Sequence, residues 1–344
     1  MSEETKNRKT DHIKICVEKD VEFNKKSTLL GEVVLPKTVP DMDAKDVDPS
    51  TAFLGKKISA PVFVNSITGG EERAEKINKD IAAACEELGL GMALGSQRAM
   101  LEDRSLAYTY DVREEHDPAF LLGNIGIAQL GEYTVEELEW LVEKINGDGL
   151  FVHINPAQEA VQPEGDTDFS GAMKRLEEIA KKMDYPVIAK QVGEGISRKT
   201  AQKLSEMNLY GVDVGGAGGS DWTKIEQLRS EDNYGETFEN WGIPTAQSLI
   251  DVLETVTGGK VTATGGIRNG LQVAKSLALG ADAAGLALPA LKAQQKEGKE
   301  GVKALLERMV EELKIAMFLT DSGSVEELRS LDPKISPKLR SRIG

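Results

Sequence analysis

Cysteine is nearly absent from this sequence. Its two thiols, Cys16 and Cys85, make no CxxC spacing, so neither a disulfide framework nor a cysteine metal site is indicated. No apolar run approaches the roughly 18 residues that span a bilayer. The polar start MSEETKNRKTDHIK carries no apolar stretch behind its basic residues, which leaves no recognisable secretory signal and no expected membrane insertion. These absences fit a reducing cytoplasm. Positive charge is also scarce: 42 Lys+Arg stand against 57 Asp+Glu, a formal charge of -15. That balance repels nucleic acid and anionic membranes at long range, and it repels an anionic substrate too. A phosphate ligand therefore has to be held by a local cluster of donors and cations.

What the chain does contain is a long alternation. With 344 residues and 40% apolar content it can bury a sizeable core, either as one barrel with terminal extensions or as two domains. Strand-length apolar runs lie at residues 60–70, 91–97, 119–126, 149–159, 185–195, 210–219, 260–270 and 282–289. Between them run helical patterns: residues 71–88, where Ile77, Ile81, Ala84 and Leu88 recur at helical spacing, then 101–115 and 168–182. Further helices open at Thr134, with Glu137 completing a capping box, and at Ser197. Eight such units predict an α/β fold of the (β/α)8 TIM-barrel type over residues 60–320. A doubly wound open sheet shows the same alternation but stops at fewer strands. Residues 1–59 form an N-terminal extension, residues 218–243 a polar, lid-like insertion after strand six, and residues 321–344 a charged tail expected on the surface.

Polar and glycine residues close these strands: SITGG, GSQR, GNIG, HINPAQE, KQVGEG, GGAGGS and TGGIR. In a barrel such ends converge on one mouth. Gly265 and Gly266 allow close backbone approach and Arg268 adds charge, as a phosphate site after strands seven and eight requires, although a glycine turn also simply caps a strand. Lys190 closes the run VIAK, where its ammonium either faces an electron-rich ring such as a reduced flavin or snorkels to solvent. HINPAQE gathers His153, Asn155, Gln158 and Glu159 within seven residues. An imidazole, two amides and a carboxylate there suit a diphosphate, a divalent metal and a reacting carbon, with Glu159 the hard ligand for Mg²⁺. A histidine in a strand is otherwise a satisfied core residue. Arg8, Lys9 and His12 in NRKTDH, together with Arg98, supply local positive charge for a diphosphate unless the first of these clusters is a solvated tail.

RKTDH, LGKKISAPVFVNSITGG, GSQR, HINPAQE, KQVGEGIS, GVDVGGAGGSDW with IEQLR, and TGGIRNG with ALGADAAGLA stand in the order found in type 2 isopentenyl-diphosphate isomerases, and the chain resembles that family from about residue 8 to about residue 291. The resemblance implies FMN held by Ser66, Ile67, Thr68, Ser96, Asn124, Lys190 and Ser220, with phosphate contacts at Gly266, Ile267, Arg268, Ala287 and Leu288. It implies substrate diphosphate contacts from Arg8, Lys9, His12, Arg98, His153 and Asn155, Gln158 as the catalytic residue near the isoprene carbons, Glu159 on Mg²⁺, and NADPH as reductant of FMN. A homotetramer or larger assembly is implied as well. Ile67, Gln191 and Ser220 depart from the Met, Glu and Thr common in the family, which bears on local tuning. The mouth motifs show no obvious second carboxylate beside Glu159, a gap that suits proton transfer by the flavin itself. The rival is an FMN-dependent 2-hydroxy-acid oxidase, which needs a histidine base near the end of strand seven, where this chain has TATGGIR.

Overall fold

A computed structural model describes residues 3–24, 27–230 and 234–343, with side chains from Arg8 onward. Positions 1–2, 25–26, 231–233 and 344, which belong to the extension, insertion and tail expected above, lie outside the described residues. Eight parallel strands close on themselves: Val62–Val64, Gly91–Ala93, Leu121–Gly126, Gly149–Ile154, Val187–Gln191, Gly211–Asp213, Lys260–Ala263 and Ala283–Leu286. They are numbered one to eight here in that order. Closure is made where Val62 of the first strand pairs with Ala284 of the eighth. Apolar on both faces, the strands are buried between a helical ring outside and packed side chains inside.

The strands are shorter than the apolar runs that mark them. Strand one ends at Val64 because SITGG leaves the sheet to cross the mouth, and only Asn65 still donates to Leu286, at 2.9 Å. The helices follow the local signals where those signals are unopposed. Thr134 Oγ1 accepts from the Glu137 N–H at 3.2 Å while Glu137 Oε2 accepts from the Thr134 N–H at 2.8 Å, which starts the helix Val135–Lys144. The helix expected over residues 101–115 is broken instead. Asp103 adopts extended dihedrals and accepts from the Ser105 N–H at 3.0 Å, so the chain runs as a short helix, Arg98–Glu102, followed by 3₁₀ turns. The helix expected from residue 168 begins at Ala172, after Gly171 in the left-handed region.

The ends of the chain finish the barrel. A hairpin of Thr51–Phe53 and Lys56–Ile58, turned by Leu54 and Gly55 at positive φ, seals the N-terminal end of the strands. Phe53 there stacks against Phe120 at 5.1 Å and Tyr210 at 5.9 Å, and the Tyr210 hydroxyl donates to no strand but accepts from the Leu54 N–H at 2.9 Å. At the opposite, C-terminal end lies the helix Glu3–Glu18, with Ile13 and Cys16 buried. Behind it, Phe23 donates to Gly219 at 3.0 Å and Asp221 donates to Val21 at 2.9 Å, fastening the extension to the loop after strand six. The insertion itself is mostly helical, with Trp222–Arg229 capped by the Asp221 carboxylate, and Tyr234–Phe238 beyond. The tail is more than a surface segment. Val325, Leu328 and Leu339 are buried, and Lys334–Ile335 pairs antiparallel with Val33–Val34 of the extension.

Candidate functional site

One deep cavity opens at the C-terminal mouth, between the strand ends and the helix Glu3–Glu18. It brings together residues that the sequence scatters over 280 positions: Arg8, Lys9, His12, Ser66, Ile67, Thr68, Ser96, Arg98, Asn124, His153, Asn155, Gln158, Glu159, Lys190, Ser220, Gly266, Arg268, Ala287 and Leu288 all line it. Ile267 alone among the expected residues stays out, its side chain wholly buried in the core. Its carbonyl accepts from Arg268 Nη1 at 2.9 Å.

The cationic face is built by the N-terminal helix. Lys9 Nζ donates to the carbonyls of Gly69 and Ser96 and to the Tyr110 hydroxyl, the last two at 3.2 and 3.0 Å. All three ammonium hydrogens are thus directed at protein acceptors, so Lys9 pins the helix to the loops after strands one and two. Burial, with the neighbouring Arg8 charge, brings Lys9 down to about 7. Arg8 faces Glu164 at 3.9 Å, and with the Gln162 amide turned to satisfy its neighbours it donates to the Gln162 oxygen at 3.0 Å. Arg98 holds Glu102 at 2.8 Å.

On the wall formed by HINPAQE, strand four delivers His153 and the turn into the helix Pro156–Val161 delivers the rest. His153 Nδ1 meets Asn124 Oδ1 at 3.0 Å, and burial together with the Lys190 charge holds its imidazole neutral down to about 3. Asn155 Nδ2 reaches Glu159 Oε1 at 2.9 Å and Gln158 Oε1 at 3.2 Å, while Asn155 Oδ1 is buried without a partner. Glu159 also accepts from the Asp166 N–H at 2.8 Å. Among the described residues no group of three or more His, Cys, Asp or Glu converges on a metal position, so a cation here has Glu159 and must complete its shell from a ligand.

The second carboxylate that the motifs lacked comes from the insertion. Glu226, fully buried, accepts from Gln158 Nε2 at 3.0 Å and from Arg229 Nε at 2.8 Å, and lies 2.9 Å from His12 Nε2. Burial by itself would raise its pKa, but His12, Gln158 and Arg229 together bring it down to about 2. His12 also meets Trp222 edge to face at 5.2 Å. The IEQLR string carried this residue, but its partner Gln158 sits 68 positions away on another helix.

The floor is polar and charged. Lys190 is 5% exposed, so it does not snorkel, and its Nζ donates to the Gln191 carbonyl at 3.3 Å. Burial lowers its pKa and Asp213 acts against that shift. The glycine loops after strands six and seven lie against each other: a Cβ at Gly265, at φ 99°, would collide with the Gly216 carbonyl oxygen. Arg268 Nη2 pairs with the Glu22 carboxylate of the extension. After strand eight, the helical stretch Leu288–Leu319, broken at Glu297 and Gly298, starts at Ala287 with no side-chain cap, leaving N–H groups of its first turn, other than at Pro289, for an anion. Ser66 Oγ is likewise buried without a partner. Unpaired hydroxyl, buried ammonium and an uncapped helix start suit a phosphorylated ring cofactor.

A sequence profile of FMN-dependent dehydrogenases matches residues 134–333. Isopentenyl-diphosphate delta-isomerase from Methanococcus maripaludis is 44% identical over 335 residues, covering 94% of this chain and 93% of that protein. The protein of the same name from Halobacterium salinarum is 41% identical over 356 residues, covering 99% and 97%. Among solved structures, a mutant flavocytochrome b2 with benzoylformate is similar at a TM-score of 0.69 and 20% identity, covering 99% of this chain and 81% of that one. A mandelate oxidase mutant with a monooxide FMN adduct is similar at a TM-score of 0.66 and 19% identity, covering 92% and 94%. At that identity the likeness shows the barrel fold alone. No helix of the described residues is long and apolar enough to cross a membrane.

Proposed function

Because the chain belongs to the isopentenyl-diphosphate delta-isomerase family, built on the FMN-dependent dehydrogenase domain, we propose that it interconverts isopentenyl diphosphate and dimethylallyl diphosphate in isoprenoid biosynthesis. The reaction adds a proton at one carbon and removes one from another, with no net oxidation. The observation that carries the reading is the Gln158 amide, fixed through its oxygen by Asn155 and through its nitrogen by Glu226, on the wall of the same cavity that buried Lys190 lines. Reduced FMN, when bound, would supply proton-carrying chemistry, with NADPH needed only to reduce it.

The residues fit that cofactor. Ser66, Ile67, Thr68, Ser96, Asn124, Lys190 and Ser220 hold FMN, and Gly266, Arg268, Ala287 and Leu288 hold its phosphate, to which Ile267, its side chain outside the cavity, can offer only its backbone. Arg8 and Arg98 supply the local positive charge that the acidic chain needs for the substrate diphosphate, His12, His153 and Asn155 add hydrogen-bonding groups, and Lys9, engaged by Ser96 and Tyr110, fixes the helix that carries Arg8 and His12. Glu159 takes Mg²⁺ shared with that diphosphate. Glu226 stays an anion and keeps the Gln158 amide hydrogens turned to itself, so the amide meets the isoprene carbons in one orientation. The 2-hydroxy-acid oxidase reading lacks its base: strand seven runs out into Thr264, Gly265 and Gly266.

Purified protein given reduced FMN and Mg²⁺ is expected to interconvert the two diphosphates and to end with its flavin still reduced. Oxidation of a 2-hydroxy acid instead, or failure to bind FMN, overturns the reading. The same reading places the protein in the cytoplasm as a homotetramer or larger, which sedimentation velocity measures.

A further inference from the structure

Asp213 ends strand six with its side chain wholly buried, and no contact in the proposed reaction has been given to it. Its Oδ1 accepts from the Gly215 N–H at 2.9 Å and from the Thr264 hydroxyl. Its Oδ2 accepts from Asn65 Nδ2 at 3.0 Å. Burial raises the Asp213 pKa, and the Lys190 charge with the Thr264 and Gly215 donors acts against that shift and favours the carboxylate anion. Each donor stands at the head of a segment assigned to the cofactor. Asn65 precedes Ser66 and accepts the Ser66 N–H on its own Oδ1 at 2.7 Å. Gly215 opens the glycine loop after strand six, and Thr264 precedes Gly265 and Gly266 after strand seven. On the other side, Asp213 is the register partner of Lys190 in strand five.

We infer that Asp213 is a positioning residue for the cofactor floor: its carboxylate ties the ends of strands one, six and seven together and keeps the Lys190 ammonium charged beneath the flavin. This rests on the FMN reading above. A buried ammonium sheds its proton unless an anion faces it. Asp213 is the charge that acts in that direction on Lys190. His153, the register partner of Lys190 on strand four, is held neutral down to about 3, whereas Glu194, raised to about 7 by burial, and Lys9, lowered to about 7 by burial, titrate in the wild type and in both variants, so each variant is compared with the wild type at the same pH.

The test measures FMN affinity and the midpoint potential of bound FMN from pH 6 to 9 in the wild type, Asp213→Asn and Lys190→Met. Asp213→Asn is expected to weaken FMN binding at least tenfold. Its potential should move towards that of Lys190→Met as the pH rises and away from it as the pH falls, because without the facing anion the buried Lys190 sheds its proton more readily. A merely structural carboxylate would lower affinity or melting temperature and leave the potential offset uniform across pH, which overturns the inference. If Asp213→Asn does not fold, Thr264→Val removes one donor and keeps the charge. It is expected to weaken FMN binding several-fold, and wild-type affinity in that variant overturns the inference. A wild type that binds no FMN overturns the cofactor reading itself, whereas a wild type that binds it beside unaltered variants overturns only the role of Asp213.

Discussion

Gln158 has both ends of its amide engaged, with Asn155 Nδ2 on its oxygen and Glu226 on its nitrogen. Gln158→Ala removes the amide and leaves Arg8, Arg98 and His153 in place. Turnover is expected to fall by roughly 10²–10⁴-fold, the range for a lost proton-handling group, with substrate affinity retained in a binding titration. His153 makes a second prediction at this scale. Its imidazole is held down to about 3 when folded, against 6.5 in the open chain, so the unfolded state takes a proton that the folded state refuses. Stability from this group is complete above about 6.5 and is lost as pH falls towards 3, at about 1.4 kcal/mol per pH unit for one proton. Urea unfolding from pH 4 to 7 should show that slope in the wild type and a slope smaller by one proton in His153→Asn. The residues of HINPAQE were legible in the sequence because they are neighbours in it. Glu226 and Asp213 were not, because what makes them matter is a partner in a distant segment: Gln158 lies 68 positions from Glu226, and Asn65 lies 148 from Asp213.

Elements were legible in proportion to how locally they are decided. Thr134 and Glu137 satisfy each other's backbone across three residues, and no tertiary contact is needed to see it. Thr134→Ala should cost about 1 kcal/mol in chemical denaturation with no effect on FMN binding. The stretch after strand two defeated the periodicity. Its apolar spacing suggests one helix, but Asp103 hydrogen-bonds the next turn and starts the chain again. Strand limits were overread for a related cause: residues such as Ser66 and Thr68 continue an apolar-looking run while their backbone has already left the sheet for the mouth. The short hairpin 51–58 shows as little more than alternation in sequence, since its function depends on Phe120 and Tyr210 meeting Phe53 from distant strands.

At the scale of the whole molecule, the eight-fold count was readable because a barrel repeats one local pattern, whereas the convergence of extension, insertion and tail on it was not. Val33 pairs with Ile335, 302 positions away, a closure that no spacing announces. The hairpin carries one more consequence. With Phe53 packed into one end of the barrel and the cavity lying at the other, beneath the helix Glu3–Glu18, a ligand reaches the cavity from the C-terminal side. On the proposed reading, with the flavin against Lys190 and the diphosphate nearer the N-terminal helix, the substrate covers the cofactor and has to leave before it. Dilution of the holoenzyme into FMN-free buffer should accordingly release flavin more slowly when isopentenyl diphosphate is saturating than when it is absent. Equal release rates would mean that the stoppered end leaks.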